Sequence, residues 1–216
     1  MQDRQLEEIM AKYYSMSDIH GHYDEFIESL SKVDFSDKNS LLILLGDYID
    51  NGSQSLQVIS KIIELEKYYP DQVITLLGNH EECLNQIDKK MKDYIIAEYP
   101  EIVDWLKDKF FNTERFFETD HQIFVHAGID EELGQNWKLF SNPDIFTKKF
   151  PASIGKFYKD IIAGHIYSEE IAKDSDVLGK IYFDNYNHYY IDGHVSLSKT
   201  IPILAFDTTT KKYHYL

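Results

Sequence analysis

Five short apolar runs, each closing on side chains able to ligate a metal, constrain this chain more than any other feature. They read YYSMSDIHG (Tyr13 to Gly21), LLILLGDYIDNG (Leu41 to Gly52), VITLLGNHEE (Val73 to Glu82), QIFVHAG (Gln122 to Gly128) and DIIAGH (Asp160 to His165). Short aliphatic and aromatic runs bounded by Gly, Asp and Asn are strand signals. In an open α/β sheet, ligands bind beyond the carboxyl ends of the strands, so residues ending different strands can share one site. Asp18, His20, Asp47, Asn79, His126 and His165 therefore form one candidate set.

Asp18, Asp47 and Asn79 recur at intervals of roughly thirty residues, the length of a βαβ unit. Between them, Phe26, Ile27, Leu30 and Val33 in Tyr23 to Val33 fall at helical spacing, as do Leu56, Ile59, Ile62 and Ile63 in Ser53 to Leu65. Ser53, after Gly52, sits where a helix cap belongs. Residues 81–111 keep a helical pattern broken at Pro100, which reads as a helical insertion over one rim of the site. From about Gly179, KIYFDN, HYYIDGHV, IPILAF and KKYHYL are strand-like and separated by turn clusters, giving a β-rich second half expected to form a second sheet. At 216 residues the chain can bury a full core, and no linker or repeat divides it, so one domain over 1–216 is expected.

The formal charge of −15 argues against a nucleic-acid polymer or an anionic membrane, both of which attract basic surfaces. Cys83 is the only cysteine, so no intrachain disulfide can form. It is flanked by carboxylates, and no Gly-rich loop ending in arginine follows, which reads as a helix residue rather than a nucleophile. The amino terminus shows no signal-peptide pattern and no apolar run approaches transmembrane length, so a cytoplasmic location is expected.

Asp, His and Asn offer oxygen and imidazole ligands, a set that suits manganese, iron or zinc better than magnesium or calcium. On an extended segment Asp18 and His20 would point the same way and clasp one ion. Asp47 can bridge two ions through its two oxygens, with Asn79, His126 and His165 completing the second. Two divalent cations held this way can lower the pKa of a water and clamp a phosphoryl group. Each residue alone reads better as a turn aspartate or an ordinary histidine than as a ligand. Their joint placement at five strand ends carries the metal reading.

The blocks SDIHG, GDYIDNG, GNHEE, VHAG and AGH, in this order, resemble the phosphoprotein phosphatase branch of the calcineurin-like metallophosphoesterases, of the bacterial Ser/Thr protein phosphatase type. The similarity covers roughly residues 13–207, including YIDG (Tyr190 to Gly193) and ILAFD (Ile203 to Asp207). It implies an α/β fold of two packed mixed β-sheets flanked by helices, with a dimetal site at one edge. It implies Asp18, His20 and Asp47 on one metal, with Asp47, Asn79, His126 and His165 on the other. By analogy His80 protonates the leaving oxygen and Asp50 holds its imidazolium.

One position departs from the family pattern. Asn51 stands where GDxxDRG-type members carry a phosphate-gripping arginine, and an amide offers only a neutral donor. IFTKKF (Ile145 to Phe150) resembles a later block in which Lys148 occupies the place of a second phosphate arginine; Arg4 and Arg115, the only arginines, match neither position. The resemblance implies two divalent ions, manganese first and iron or zinc as alternatives, and a phosphorylated partner, either a phosphoprotein or a small phosphoester. The first reading is a phosphomonoesterase. The alternative is a dinucleoside polyphosphate or phosphodiester hydrolase, and the third is an inactive metal-binding module.

Overall fold

The computed structural model describes residues 12–82, 99–112 and 115–216. Among the described residues ten strands lie in chain order: β1 (Lys12–Met16), β2 (Ser40–Leu44), β3 (Val73–Thr75), β4 (Phe116–Glu118), β5 (Gln122–Val125), β6 (Asp160–Ala163), β7 (Tyr182–Phe183), β8 (His188–Tyr190), β9 (Leu204–Asp207) and β10 (Lys212–Tyr215). They form two five-stranded sheets, ordered β10-β9-β1-β2-β3 and β4-β5-β6-β8-β7. Within the first sheet β1, β2 and β3 run parallel and β9 is antiparallel to β1. Within the second, β5, β6 and β8 run parallel.

The period-2 alternation of side chains sorts residues into three layers. Tyr14, Met16, Leu42, Leu44 and Ala205 pack against Phe26 and Leu30 of α1 (Tyr23–Leu30) and Val58, Ile59 and Ile62 of α2 (Ser55–Tyr68). Their neighbours Tyr13, Leu41, Ile43, Leu204 and Phe206 meet Phe124, Ile162 and Tyr189 between the sheets. Ile123, Val125, Ile161, Ala163 and Tyr190 turn outward onto Trp137 and Phe146. The result is a helix–sheet–sheet–helix sandwich. A fully buried side chain such as Ile43 or Ile162 contributes roughly 2 kcal/mol by burial alone.

Several sequence expectations need adjustment. The strand-like segments after Gly179 do not make one new sheet: β7 and β8 extend the second, whereas β9 pairs antiparallel with β1 in the first and β10 pairs antiparallel with β9 at its edge. Leu204 and Phe206 alternate with Ala205, so this strand presents apolar side chains to both the intersheet layer and the helix-side layer. The first helix stops at Leu30, and α2 begins at Ser55 with Gln54, not Ser53, at the cap position and no side-chain cap.

Of the helical stretch at 81–111, α3 (Asn79–Glu82) and α4 (Pro100–Asn112) are described, while 83–98, with Cys83, lie outside the described residues. α4 is seated on the core rather than placed as a rim. Ile102 and Trp105 join the helix-side layer, and the Trp105 indole donates to Glu66 of α2 at 2.7 Å. No helix among the described residues is long and apolar enough to cross a membrane.

Candidate metal centre

The parallel strands of both sheets deliver their carboxyl ends to one edge, and the six candidate ligands follow them there. β1 and β2 end at Met16 and Leu44, and the chain then enters loops in which Asp18 (φ 54°), His20 (φ 47°) and Asp47 (φ 56°) all take left-handed backbone. The expectation that Asp18 and His20 lie on an extended segment is therefore wrong. They reach the same space because the loops clasp each other: the amides of Asp18, His20 and Gly21 donate to the carbonyls of Gly46, Asp47 and Tyr48 at 3.1, 2.9 and 2.8 Å.

Three residues hold left-handed conformations that cost non-glycine residues free energy, a form of strain that persists where the surroundings over-determine it. Glu81 supplies much of that determination. Its buried carboxylate accepts from the amides of Asp47 (2.9 Å), Tyr48 (2.8 Å) and Gly78 (3.0 Å), tying the second and third loops together. The sequence marked Glu81 only as part of GNHEE; a second carboxylate directly after a catalytic-type histidine was the available signal, but nothing local shows that it is buried.

Around Asp47 the donors converge in two overlapping groups, His20–Asp47–His80 and Asp47–His126–His165, with ligand atoms within 4.8 Å of one another in each. His20 Nδ1 lies 3.0 Å from the Ile49 carbonyl and His126 Nδ1 lies 3.1 Å from the Leu45 carbonyl. A carbonyl only accepts, so both Nδ1 atoms carry the proton and both Nε2 atoms turn to the centre, the arrangement that orients metal-ligating histidines. His20 Nε2 stands 3.8 Å from Asp18 and 3.7 Å from Asp47. His126 Nε2 stands 3.5 Å from Asp47 and 3.0 Å from Asn79 Oδ1. A lone pair on nitrogen facing carboxylate and amide oxygens at such distances is repulsive unless a cation or a proton lies between them.

The electrostatics agree. Burial opposes protonation of His126, but the Asp47 carboxylate outweighs it and draws the imidazole up to about 9. Burial likewise works against ionisation of Asp47, yet His126 and His20 hold it below the usual carboxylate range. So strong a pull on a proton is the field that a divalent cation would occupy instead. The donors present therefore fit a pair of ions that share Asp47.

Asp18 receives the backbone amide of His165 at 3.1 and 3.3 Å, and the His126 and His165 rings lie 5.2 Å apart, so all six residues meet at one place. Close approach is possible only because of the adjoining glycines. A Cβ on Gly78 would stand 2.0 Å from Asp47 Oδ1, and one on Gly164 would stand 2.1 Å from Asp18 Oδ2.

His80 Nδ1 is 2.8 Å from Asp50 Oδ2, leaving its Nε2 turned toward Asp47 at 3.8 Å. Burial lowers the readiness of this ring to protonate, but Asp47 and the Asp50 hydrogen bond more than compensate and raise its pKa. Asn51 is exposed at φ 60° on the rim. Lys148 is engaged elsewhere: its ammonium lies 3.0 Å from Glu82 and 3.5 Å from Asp144. Arg115 pairs with the same Glu82 carboxylate, which sits one helical turn beyond Asn79.

Comparison with known proteins places this arrangement. Residues 12–196 match the model of the calcineurin-like phosphoesterase family. A symmetrical bis(5'-nucleosyl)-tetraphosphatase of Buchnera aphidicola is 32% identical over 166 residues, 71% of this chain and 57% of that protein. A zinc-dependent endopolyphosphatase of Saccharomyces cerevisiae is 41% identical over 133 residues, 57% of this chain and 37% of that protein. The chain thus spans about half the length of the curated relatives it matches. Among solved structures, the cold-active protein-tyrosine phosphatase of a psychrophilic Shewanella superposes with a TM-score of 0.65 over 95% of this chain and 77% of that one, at 17% identity. The fold is shared with that enzyme, and the chain belongs to the calcineurin-like phosphoesterase family.

Proposed function

We propose that this chain is a dinuclear metal-dependent hydrolase of phosphoanhydrides, with a dinucleoside tetraphosphate as its substrate class. The carrying observation is the convergence of Asp18, His20, Asp47, Asn79, His126 and His165 with Asp47 shared between two groups of donors. Substrate class is supported by the tetraphosphatase relative, matched over 71% of the chain. The sequence alone puts the phosphomonoester reading first and the anhydride reading second; the tetraphosphatase relative supports the second.

Two local features favour the same choice. Asn51 replaces a clamp suited to a dianionic monoester, and Lys148 is already paired with Glu82. An internal phosphoryl group of a polyphosphate carries less charge than a terminal monoester and needs a weaker clamp.

Asp18, His20 and Asp47 would hold one ion and Asp47, Asn79, His126 and His165 the other, with manganese, iron or zinc matching the donor set. Ions bound there supply a water of lowered pKa and polarise the phosphoryl oxygens. The protein's own part is orientation and proton transfer. In the proposed hydrolysis a P–O bond would form to water, which gives up a proton to solvent, as the bridging P–O bond breaks, and His80 Nε2, oriented by Asp50, would deliver a proton to the departing phosphate oxygen. Symmetrical cleavage leaves two nucleoside diphosphates.

The test is a side-by-side rate measurement with manganese on diadenosine tetraphosphate, a phosphoserine peptide and p-nitrophenyl phosphate, with products identified. Preferential release of adenosine diphosphate supports the proposal. Faster turnover of the phosphopeptide returns the protein to the monoesterase reading.

A further inference from the structure

Beside the proposed metal centre the structure carries an aromatic feature that the chemistry above does not use. Tyr167 and His194 stack with ring centroids 3.6 Å apart and planes 1° from parallel. They come from different loops at the same sheet edge: Tyr167 follows His165 by two residues after β6, and His194 follows β8. The loops are joined where the Ser168 amide donates to the Asp192 carbonyl at 3.0 Å.

The pair is built to stay in place. His194 has left-handed backbone (φ 52°), its amide donates to Asp192 Oδ1 at 2.8 Å, and its Nδ1 lies 2.6 Å from Glu169 Oε1. Both residues are partly exposed.

A stacked, partly exposed aromatic ring on the loop that follows the candidate ligand His165 matches one need of a nucleotide, a flat surface on which a base can stack. We infer that Tyr167, backed by His194, is the platform on which a nucleobase of the substrate stacks while its phosphates run toward the metals. This deepens the tetraphosphatase reading and rests on it for the identity of the substrate. The surrounding negative charge of Glu169 and Glu170 does not oppose stacking of a neutral base.

The experiment is a calorimetric titration of the manganese-loaded protein with adenosine diphosphate and with inorganic pyrophosphate, which shares the diphosphate but lacks the base. Stacking predicts that the nucleotide binds about five- to a hundredfold more tightly than pyrophosphate. Tyr167→Ala should bring that ratio close to one, Tyr167→Phe should keep it, and His194→Ala should reduce it by loosening the backing ring. Because the readout is a ratio within each variant, a general loss of binding does not imitate the effect. A native ratio near one, or a ratio unchanged in Tyr167→Ala, overturns the platform. Failure of the tetraphosphatase reading looks different: a chain that hydrolyses only monoesters yet keeps a Tyr167-dependent ratio retains the platform and loses the proposed reaction.

Discussion

Glu81 grips the backbone amide of Asp47 at 2.9 Å, and this one contact fixes the residue on which both proposed ions depend. The same carboxylate also holds Tyr48 and Gly78, so three amides of two separate loops share a single buried anion. Charge-assisted hydrogen bonds of this kind contribute about 1.5–3 kcal/mol each, and unpaired buried donors are costly.

Glu81→Ala should therefore destabilise the fold by on the order of 3 kcal/mol and weaken metal retention together. Denaturant unfolding of the metal-free protein and metal analysis after dialysis would read the two effects separately. Loss of neither would show that the loops are held by their backbone contacts alone.

Gly78→Ala tests the close approach at the centre. Its methyl group would meet Asp47 Oδ1 at 2.0 Å and the Asp47 backbone nitrogen at 2.5 Å, so the loop itself must shift as well as the carboxylate. Metal affinity should drop by about 10- to 100-fold, the scale seen when ligand-orienting groups are disturbed, with some loss of stability alongside it. Normal metal content in this variant would contradict the geometry.

His80→Asn removes the proposed acid while leaving all six candidate ligands. On an alkyl phosphomonoester kcat should fall by about 10²- to 10⁴-fold, because an alkoxide leaves poorly without a proton. On a dinucleoside tetraphosphate the loss should be smaller, since a departing phosphate is far less basic. Equal losses on both substrates would assign His80 a different task.

Asn51→Arg should lower KM for a phosphomonoester by restoring a charged, forked donor at the rim. The effect on an anhydride substrate should be weaker. Unchanged KM values for both substrates would mean that phosphate is held by other groups.

The second sheet carries a polar network with its own pH signature. Glu131 accepts from Ser153 at 3.1 Å, pairs closely with Lys149 and faces His188 Nε2 at 3.3 Å. Burial alone would raise this carboxyl, but the His188 and Lys149 contacts win and hold it at about 2. A depressed folded-state pKa stabilises the protein above the unfolded value and loses that contribution as pH falls through the folded one. Stability should thus decline between about pH 4.5 and 2, by on the order of 3 kcal/mol from this group. Glu131→Gln should flatten that part of the acid limb in urea-unfolding measurements; an unchanged slope would remove Glu131 as its source.

The metal-ligand candidates were legible because each follows a buried strand, where apolar runs and polar ends stand out along the chain. Two packed sheets were implied by the resemblance of the ordered blocks to the family, while the residues themselves marked strands and a β-rich second half. What stayed hidden depends on contacts distant in sequence. Nothing local in ILAFD says that β9 pairs with β1, 189 positions away across the Ser15–Leu204 contact. The left-handed backbone at Asp18 and His20 arises from the clasp with residues 46–48, and an extended geometry was the natural default. Glu81 looks like any helix-start glutamate until its burial is known. The Tyr167–His194 stack joins two loops through the pairing of β6 with β8, which no motif records.

The most direct measurement is anomalous diffraction from crystals of the protein grown with manganese. Two peaks about 3.5–4 Å apart, both against the Asp47 carboxylate, with His20 on one and His126 and His165 on the other, are the expected result. A single peak, or none within coordination distance of Asp47, would contradict the dinuclear account.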